Sequence, residues 1–247
     1  MAESIQIENL SFAYDAHKPV LENISLEIAA GEKFGIIGPM GAGKSTLMLH
    51  LNGILSGQGR VCIGQREVNK KNLAEIRPRV GVVFQNPDDQ LFNPTVEEDI
   101  AFGPLNFGYS RSEVGEMVRY ALEAMQLKGF EKLAPHHLSM GERKRVALAT
   151  VLATRPEVIA FDEPFASLDP NMTAQLIKII NGLESTLFII SQSFLPLVAC
   201  CSRVAVMNRG RIAAVGPTME IFRNEKLLSN NGIDLGIYKK ICRQLFV

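Results

Sequence analysis

Apolar residues alternate with polar ones from Ser4 to Tyr14, at Ile5, Ile7, Leu10 and Phe12, and a second alternating run covers Val20 to Ile28. Period-two spacing lines one face of a strand, so the two runs predict an antiparallel pair at a sheet edge. After a turn at Gly31-Glu32-Lys33 the pattern changes. Phe34-Gly35-Ile36-Ile37, Val80–Phe84, Val158–Phe161 and Thr186–Ile190 are short runs dominated by apolar residues, as in strands covered on both faces. Helical spacing fills the intervals: a helix from the glycine-rich segment 38–43 through Leu51, one over Ser112–Leu127, one starting at Ser139 and one from about Asn171. Thr95 and Glu98 have the spacing of a capping box, and the stretch from Pro87 to about His137 is helical in pattern. Strands alternating with helices predict an α/β fold with a mostly parallel sheet and an antiparallel β edge. In this reading 87–137 is an inserted helical subdomain, 1–86 and 138–217 form one core, and 218–247 is a tail with weak helical periodicity at Ile237, Ile241 and Leu245.

Composition narrows the classes without redirecting this picture. Lys+Arg and Asp+Glu are both 26, so the net charge is zero and no nucleic-acid partner is expected. The N-terminus lacks a basic region followed by an apolar one, so no signal peptide is expected. Apolar stretches such as Val146–Ala149 are soon interrupted, so a role at a membrane requires a partner to dock on. Cys62, Cys200, Cys201 and Cys242 lack metal-ligand spacing, and the adjacent pair reads as small buried apolar residues of a reduced chain. His136 and His137 have no ligand companions nearby and read as loop histidines.

The chemistry enters at Gly38-Pro39-Met40-Gly41-Ala42-Gly43-Lys44-Ser45-Thr46, which matches GxxxxGK[ST] between a predicted strand and a predicted helix. Glycines there let the backbone curl until successive N–H groups converge on phosphate oxygens, and the helix start adds its positive end. Lys44 would reach the β- and γ-phosphates of ATP, and Ser45 would offer a hydroxyl to Mg²⁺. Phe161-Asp162-Glu163-Pro164 ends a predicted strand, where Asp162 is placed to hold Mg²⁺ and Glu163 to accept a proton from the attacking water.

Further motifs stand in order around these. Leu138-Ser139-Met140-Gly141-Glu142 resembles the LSGGQ signature of ABC ATPases, Tyr14 resembles the aromatic that stacks on adenine, Gln85 the Q-loop glutamine, and Ser167-Leu168-Asp169 the loop that crosses the dimer interface. The resemblance spans roughly Ile5 to Gly216. It implies the P-loop NTPase (ABC ATPase) fold and a site completed by a dimer. There the Ser139 hydroxyl and Gly141 N–H of one subunit would meet the γ-phosphate held by the other's cradle, with Asp169 at the interface. It also implies Mg²⁺ contacts from Ser45, Gln85 and Asp162, and nucleotide contacts from Gly38, Gly41, Ala42, Gly43, Lys44 and Thr46.

A narrower resemblance, to the ATPases of cobalt/nickel and energy-coupling-factor importers, rests on the segments 84–92 and 96–104. It implies a peripheral protein on the cytoplasmic face of the cell membrane, partnered by a second ATPase subunit, identical or paralogous, a transmembrane coupling subunit and a substrate-binding membrane subunit. Two positions depart from the family. Met140 stands where it usually has glycine, and Gln192 where a histidine contacts the γ-phosphate. An amide donates a hydrogen bond but does not titrate near neutral pH. The expectation is hydrolysis slower than with histidine; a degenerate ATP-binding partner of a hydrolysing paralogue is the alternative. A soluble ABC ATPase acting on ribosomes or DNA fits less well, because one uninterrupted domain carries neither a heptad tract nor a basic stripe.

Overall fold

The computed structural model describes residues 1–15 and 18–236; the periodic positions Ile237, Ile241 and Leu245, and Cys242, lie outside the described residues. In chain order the elements are β1 (Ile5–Asp15), β2 (Lys18–Ile28), β3 (Lys33–Ile37), α1 (Lys44–Leu49), β4 (Gln58–Ile63), β5 (Arg66–Glu67), α2 (Leu73–Ile76), β6 (Val80–Val83), α3 (Val96–Asn106) and α4 (Arg111–Ala124). They continue with α5 (Met140–Leu152), β7 (Val158–Asp162), α6 (Pro170–Gly182), β8 (Thr186–Ile190), α7 (Phe194–Cys200), β9 (Arg203–Asn208), β10 (Arg211–Pro217), α8 (Thr218–Arg223) and α9 (Glu225–Asn230).

The strands form two sheets. One has six strands in the order β10-β9-β3-β8-β7-β6, parallel except for the β9–β10 hairpin. The other has four, in the order β2-β1-β4-β5. The antiparallel pair β1–β2 forms a sheet edge, as expected, and the edge is that of this second sheet and not of the parallel one. The sequence pattern could not show this, because period two specifies a half-buried strand but not its neighbour.

Alternation within the apolar runs decides the layering. Val158, Ala160, Phe188 and Ile190 face the cluster shared with Ile5, Ile7, Leu26 and the α1 residues Leu47 and Met48. Ile159, Phe161, Leu187 and Ile189 face the opposite cluster with Val146, Leu148, Leu176 and Ile180 of α5 and α6. Each central strand is thus covered on both faces, the condition that favours parallel pairing. Helices α3 and α4 pack on each other and on α5.

Helix starts follow side-chain chemistry closely. Ser139 caps α5 in a full reciprocal box with Glu142, and Asp169 caps α6 by accepting from the Met172 N–H. Thr95 caps α3 by accepting from the Glu98 N–H, but the reciprocal box lies instead at Ser110 and Glu113, two residues before the predicted helix start at Ser112. Cys62, Cys200 and Cys201 are buried thiols.

Candidate nucleotide-binding site

Strand order β3-β8-β7-β6 places four carboxyl ends side by side. From them emerge the glycine-rich loop, Ser191-Gln192, Asp162-Glu163 and Phe84-Gln85, in that spatial order. This edge of a parallel sheet is where open α/β folds bind ligands. Met40, Gly41, Ala42, Gly43, Lys44, Ser45, Thr46, Gln85, Asp162, Glu163 and Gln192, with Val20, line one cavity of about 270 Å³.

The loop is shaped by contacts the motif does not contain. A Cβ on Gly38 would lie 2.0 Å from the Met207 carbonyl oxygen, so no other residue fits without moving β9. Gly43 turns into α1 at φ 97°, and no side chain caps the helix. The β9–β10 turn has positive φ at Arg209 and Gly210, the geometry of a tight hairpin, and the Gly210 N–H donates to the Ala42 carbonyl at 3.0 Å. Sequence reasoning missed this hairpin. Its signals were the apolar run Val204–Met207 followed by Asn208-Arg209-Gly210.

Lys44 is buried and donates to the carbonyls of Gly38 and Pro39, at 2.9 and 3.0 Å, folding the loop back on its own amine. Burial lowers its pKa, while the charges of Glu163 and Asp162 oppose that shift. Asp162 is held above the ordinary carboxylate range by burial, with the Ser45 hydrogen bond and Lys44 pulling back.

Glu163 sits at φ 46°, a left-handed conformation that costs a non-glycine residue on the order of 1–3 kcal/mol. Its N–H donates to the Ile190 carbonyl, and its Oε2 accepts from the Gln192 N–H at 3.0 Å. Oε1 is buried with no hydrogen-bond partner among the described residues, so one carboxylate oxygen is uncommitted at a residue that lines the cavity. Burial raises the Glu163 pKa; the Gln192 hydrogen bond and Lys44 oppose it, and Asp162 adds to it.

Tyr14 does not line this cavity. It is 65% exposed, and its hydroxyl lies 3.3 Å from Thr46 Oγ1, with its ring edge-on to Phe12. Ser139, Gly141 and Asp169 also lie away from the cavity lining. Missed altogether was Lys144 of α5. It is buried, its Nζ donates to the Glu163 and Pro164 carbonyls, and burial pushes its pKa down to about 8 against the raising effect of Glu163.

The ABC transporter family model matches residues 21–166 of the chain. The energy-coupling factor transporter ATP-binding protein EcfA of Methanothermobacter thermautotrophicus is 46% identical over 237 residues, covering 94% of this chain and 76% of its own length. This chain is an ABC transporter ATP-binding protein. EcfA of Methanocaldococcus jannaschii is 44% identical to this ABC ATPase over 237 residues, covering 94% of this chain and 85% of the relative. The structure of cbiO1 from Clostridium perfringens, part of the ABC transporter complex cbiONQ, superposes with a TM-score of 0.82 at 31% identity, over 97% of this chain and 98% of that one.

In this ABC ATPase the signature turn is exposed at Ser139 and packed beneath at Gly141, where a Cβ would meet Met172 Sδ at 2.3 Å. The Ser139 hydroxyl donates to Glu142 Oε2 at 2.6 Å, and Met140 beside it is half-buried. No helix among the described residues is long and apolar enough to cross a membrane.

Proposed function

We propose that this chain is the ATP-hydrolysing subunit of an importer of the energy-coupling-factor class, for cobalt/nickel ions or a vitamin, acting as one half of a nucleotide-sandwiching dimer. The observation that carries the proposal is a split. Lys44, Ser45, Gln85, Asp162, Glu163 and Gln192 converge on one cavity, while the signature turn at Ser139 lies outside it and exposed. A second protomer supplying its own Ser139 completes such a half-site.

The residues fit ATP with Mg²⁺. The glycine cradle has no room for side chains at Gly38 and Gly43, and a buried amine faces two carboxylates. Ser45, Gln85 and Asp162 would hold Mg²⁺, which neutralises phosphate charge when bound. Lys44 binds the β- and γ-phosphates, and Tyr14, exposed above Thr46, offers a face for adenine. Glu163 accepts a proton from the attacking water, with the raised pKa of a buried carboxyl bringing its basicity nearer the working pH.

Transmembrane partners suit the exposed aromatic residues in and around α3. Phe92 and Phe102 pack edge-on at 4.8 Å, and Leu105, Phe107 and Tyr109 are exposed nearby in sequence. The working place in this reading is the cytoplasmic face of the membrane, through a coupling subunit that contacts a substrate-binding subunit.

The test is Glu163→Gln in Mg-ATP. The expected result is retained ATP binding, loss of turnover by about a hundredfold or more, and a stable dimer by light scattering. Normal hydrolysis, or a persistent monomer even beside the membrane partners, overturns the proposal. A second reading, that ATP is held here and hydrolysed by a paralogous partner, draws on Gln192 in place of histidine.

A further inference from the structure

Helix α5 carries two adjacent cationic side chains that reach two different segments. Arg143 Nη1 meets Asp88 Oδ1 at 2.5 Å, in the turn just after Gln85. The same segment is tied to α5 by Gln90, which accepts from the Phe84 N–H and donates to the Ala147 carbonyl and Thr150 Oγ1. Lys144 reaches instead to the carbonyls of Glu163 at 3.4 Å and Pro164 at 3.0 Å.

The surroundings of Lys144 are apolar: Val83, Phe84, Ala147, Leu148, Phe161 and Leu176 line the same niche. Burying an ammonium there is costly, and a methionine would fill the space without that cost. The amine therefore does something packing alone does not require. What it contacts is the strained turn of the site. Glu163 is at φ 46°, and among the described residues its carbonyl is otherwise bonded locally, by the Ala166 N–H at 3.1 Å. A cation drawing the two successive carbonyls to one side fixes the direction of the peptide planes that follow Glu163, and so the direction of its side chain.

We propose that Lys144 is a positioning residue for Glu163: from the helix that begins at the signature turn, its ammonium holds the Glu163–Pro164 carbonyls and thereby keeps Oε2 of the Glu163 carboxylate against the Gln192 N–H. The proposal rests on Glu163 being the base. It gives each α5 two grips, one on the segment after Gln85 and one on the Glu163 turn, so a shift of the signature turn reaches both.

The experiment is the steady-state ATPase of the full chain with Lys144→Met, Lys144→Arg and Glu163→Gln side by side, together with thermal melting and hydrogen exchange of the Gln192 amide. Misplacement of a catalytic group by about 1 Å costs on the order of a hundredfold. Lys144→Met is expected to lower kcat by about tenfold or more with KM for ATP within about twofold, to leave the melting temperature close to wild type, and to accelerate Gln192 amide exchange. Lys144→Arg, which keeps a donor cation, recovers most of kcat. Should Lys144→Met fail to fold, Lys144→Gln is held to the same expectation. Unchanged kcat in the folded variant, or kcat and ATP affinity falling together with no recovery by arginine, overturns the proposal. An active Glu163→Gln enzyme removes the base and this proposal with it; an inactive Glu163→Gln beside a fully active Lys144→Met removes Lys144 alone.

Discussion

At Gly43 the chain enters α1 at φ 97° with no capping side chain, and at Ser139 it enters α5 at φ −61° inside a complete capping box. The first turn is held by distant parts of the molecule, with the Met207 carbonyl against Gly38 and the Gly210 N–H on the Ala42 carbonyl, and by its own Lys44 folded back on Gly38 and Pro39. The second is held by itself, with Ser139 and Glu142 exchanging three hydrogen bonds. The difference follows from what each turn must leave open. In the proposed role the backbone N–H groups of the loop meet phosphate and cannot be spent on its own side chains, so its shape is imposed largely by tertiary contacts. In the proposed sandwich the signature turn is presented to a separate protomer, and its exposed cap is stiffened locally before it meets that protomer.

Gly43→Ala attacks the imposed turn and has the largest expected effect. An alanine there adopts a strained φ at a cost on the order of 1–3 kcal/mol, and its Cβ would lie 2.9 Å from the Val20 carbonyl. Relief by shifting the loop spoils the cradle, so titration calorimetry should show ATP affinity lower by about a hundredfold. Undiminished affinity would mean that phosphate does not sit in this loop.

Ser139→Ala attacks the self-made turn and separates the two regions. Losing the cap costs about 1 kcal/mol of stability, read by denaturant melting. ATP affinity of the isolated chain should stay unchanged, because Ser139 does not line its own cavity. Turnover of the assembled dimer should fall about tenfold, the loss of one hydrogen bond to a charged group. A fall in single-chain ATP affinity instead would place Ser139 in its own cradle and end the sandwich account.

The same contrast explains what could be read from the residues beforehand. The signature helix start was legible because Ser139 and Glu142 act over three residues, and the buried strands because alternating faces leave an apolar run. Lys44, Asp162 and Glu163 were legible as a motif pair, and the parallel sheet then brings them together at its carboxyl edge. Of the second sheet only the β1–β2 pair was legible, since β4 and β5 are short and β4 is exposed over half its length. Nor were the contacts that shape the site, Met207 to Gly38 and Lys144 to Glu163, because each joins segments whose proximity only the finished topology creates.

Gln192 stands at the boundary between the two regions, with its backbone serving the built half-site and its side chain exposed on the cavity wall. Gln192→His keeps the N–H that binds Glu163 Oε2 and changes only the side chain proposed to face the γ-phosphate, so ATP affinity and melting temperature should hardly move. Imidazole can carry a proton near neutral pH, where the amide cannot. If the parent chain turns over slowly by itself, the variant should hydrolyse about three- to fivefold faster, a gain of about 0.7–1 kcal/mol in the barrier. That gain should grow as pH falls through about 6.5, where the imidazole becomes cationic, and shrink above it. A parent with no turnover alone, restored only by adding a paralogous ATPase, supports the degenerate reading instead, and a histidine variant that stays inactive would place the defect elsewhere than residue 192. The pH dependence distinguishes a histidine acting through its charge from one that merely repositions Glu163, since the latter raises turnover equally at every pH.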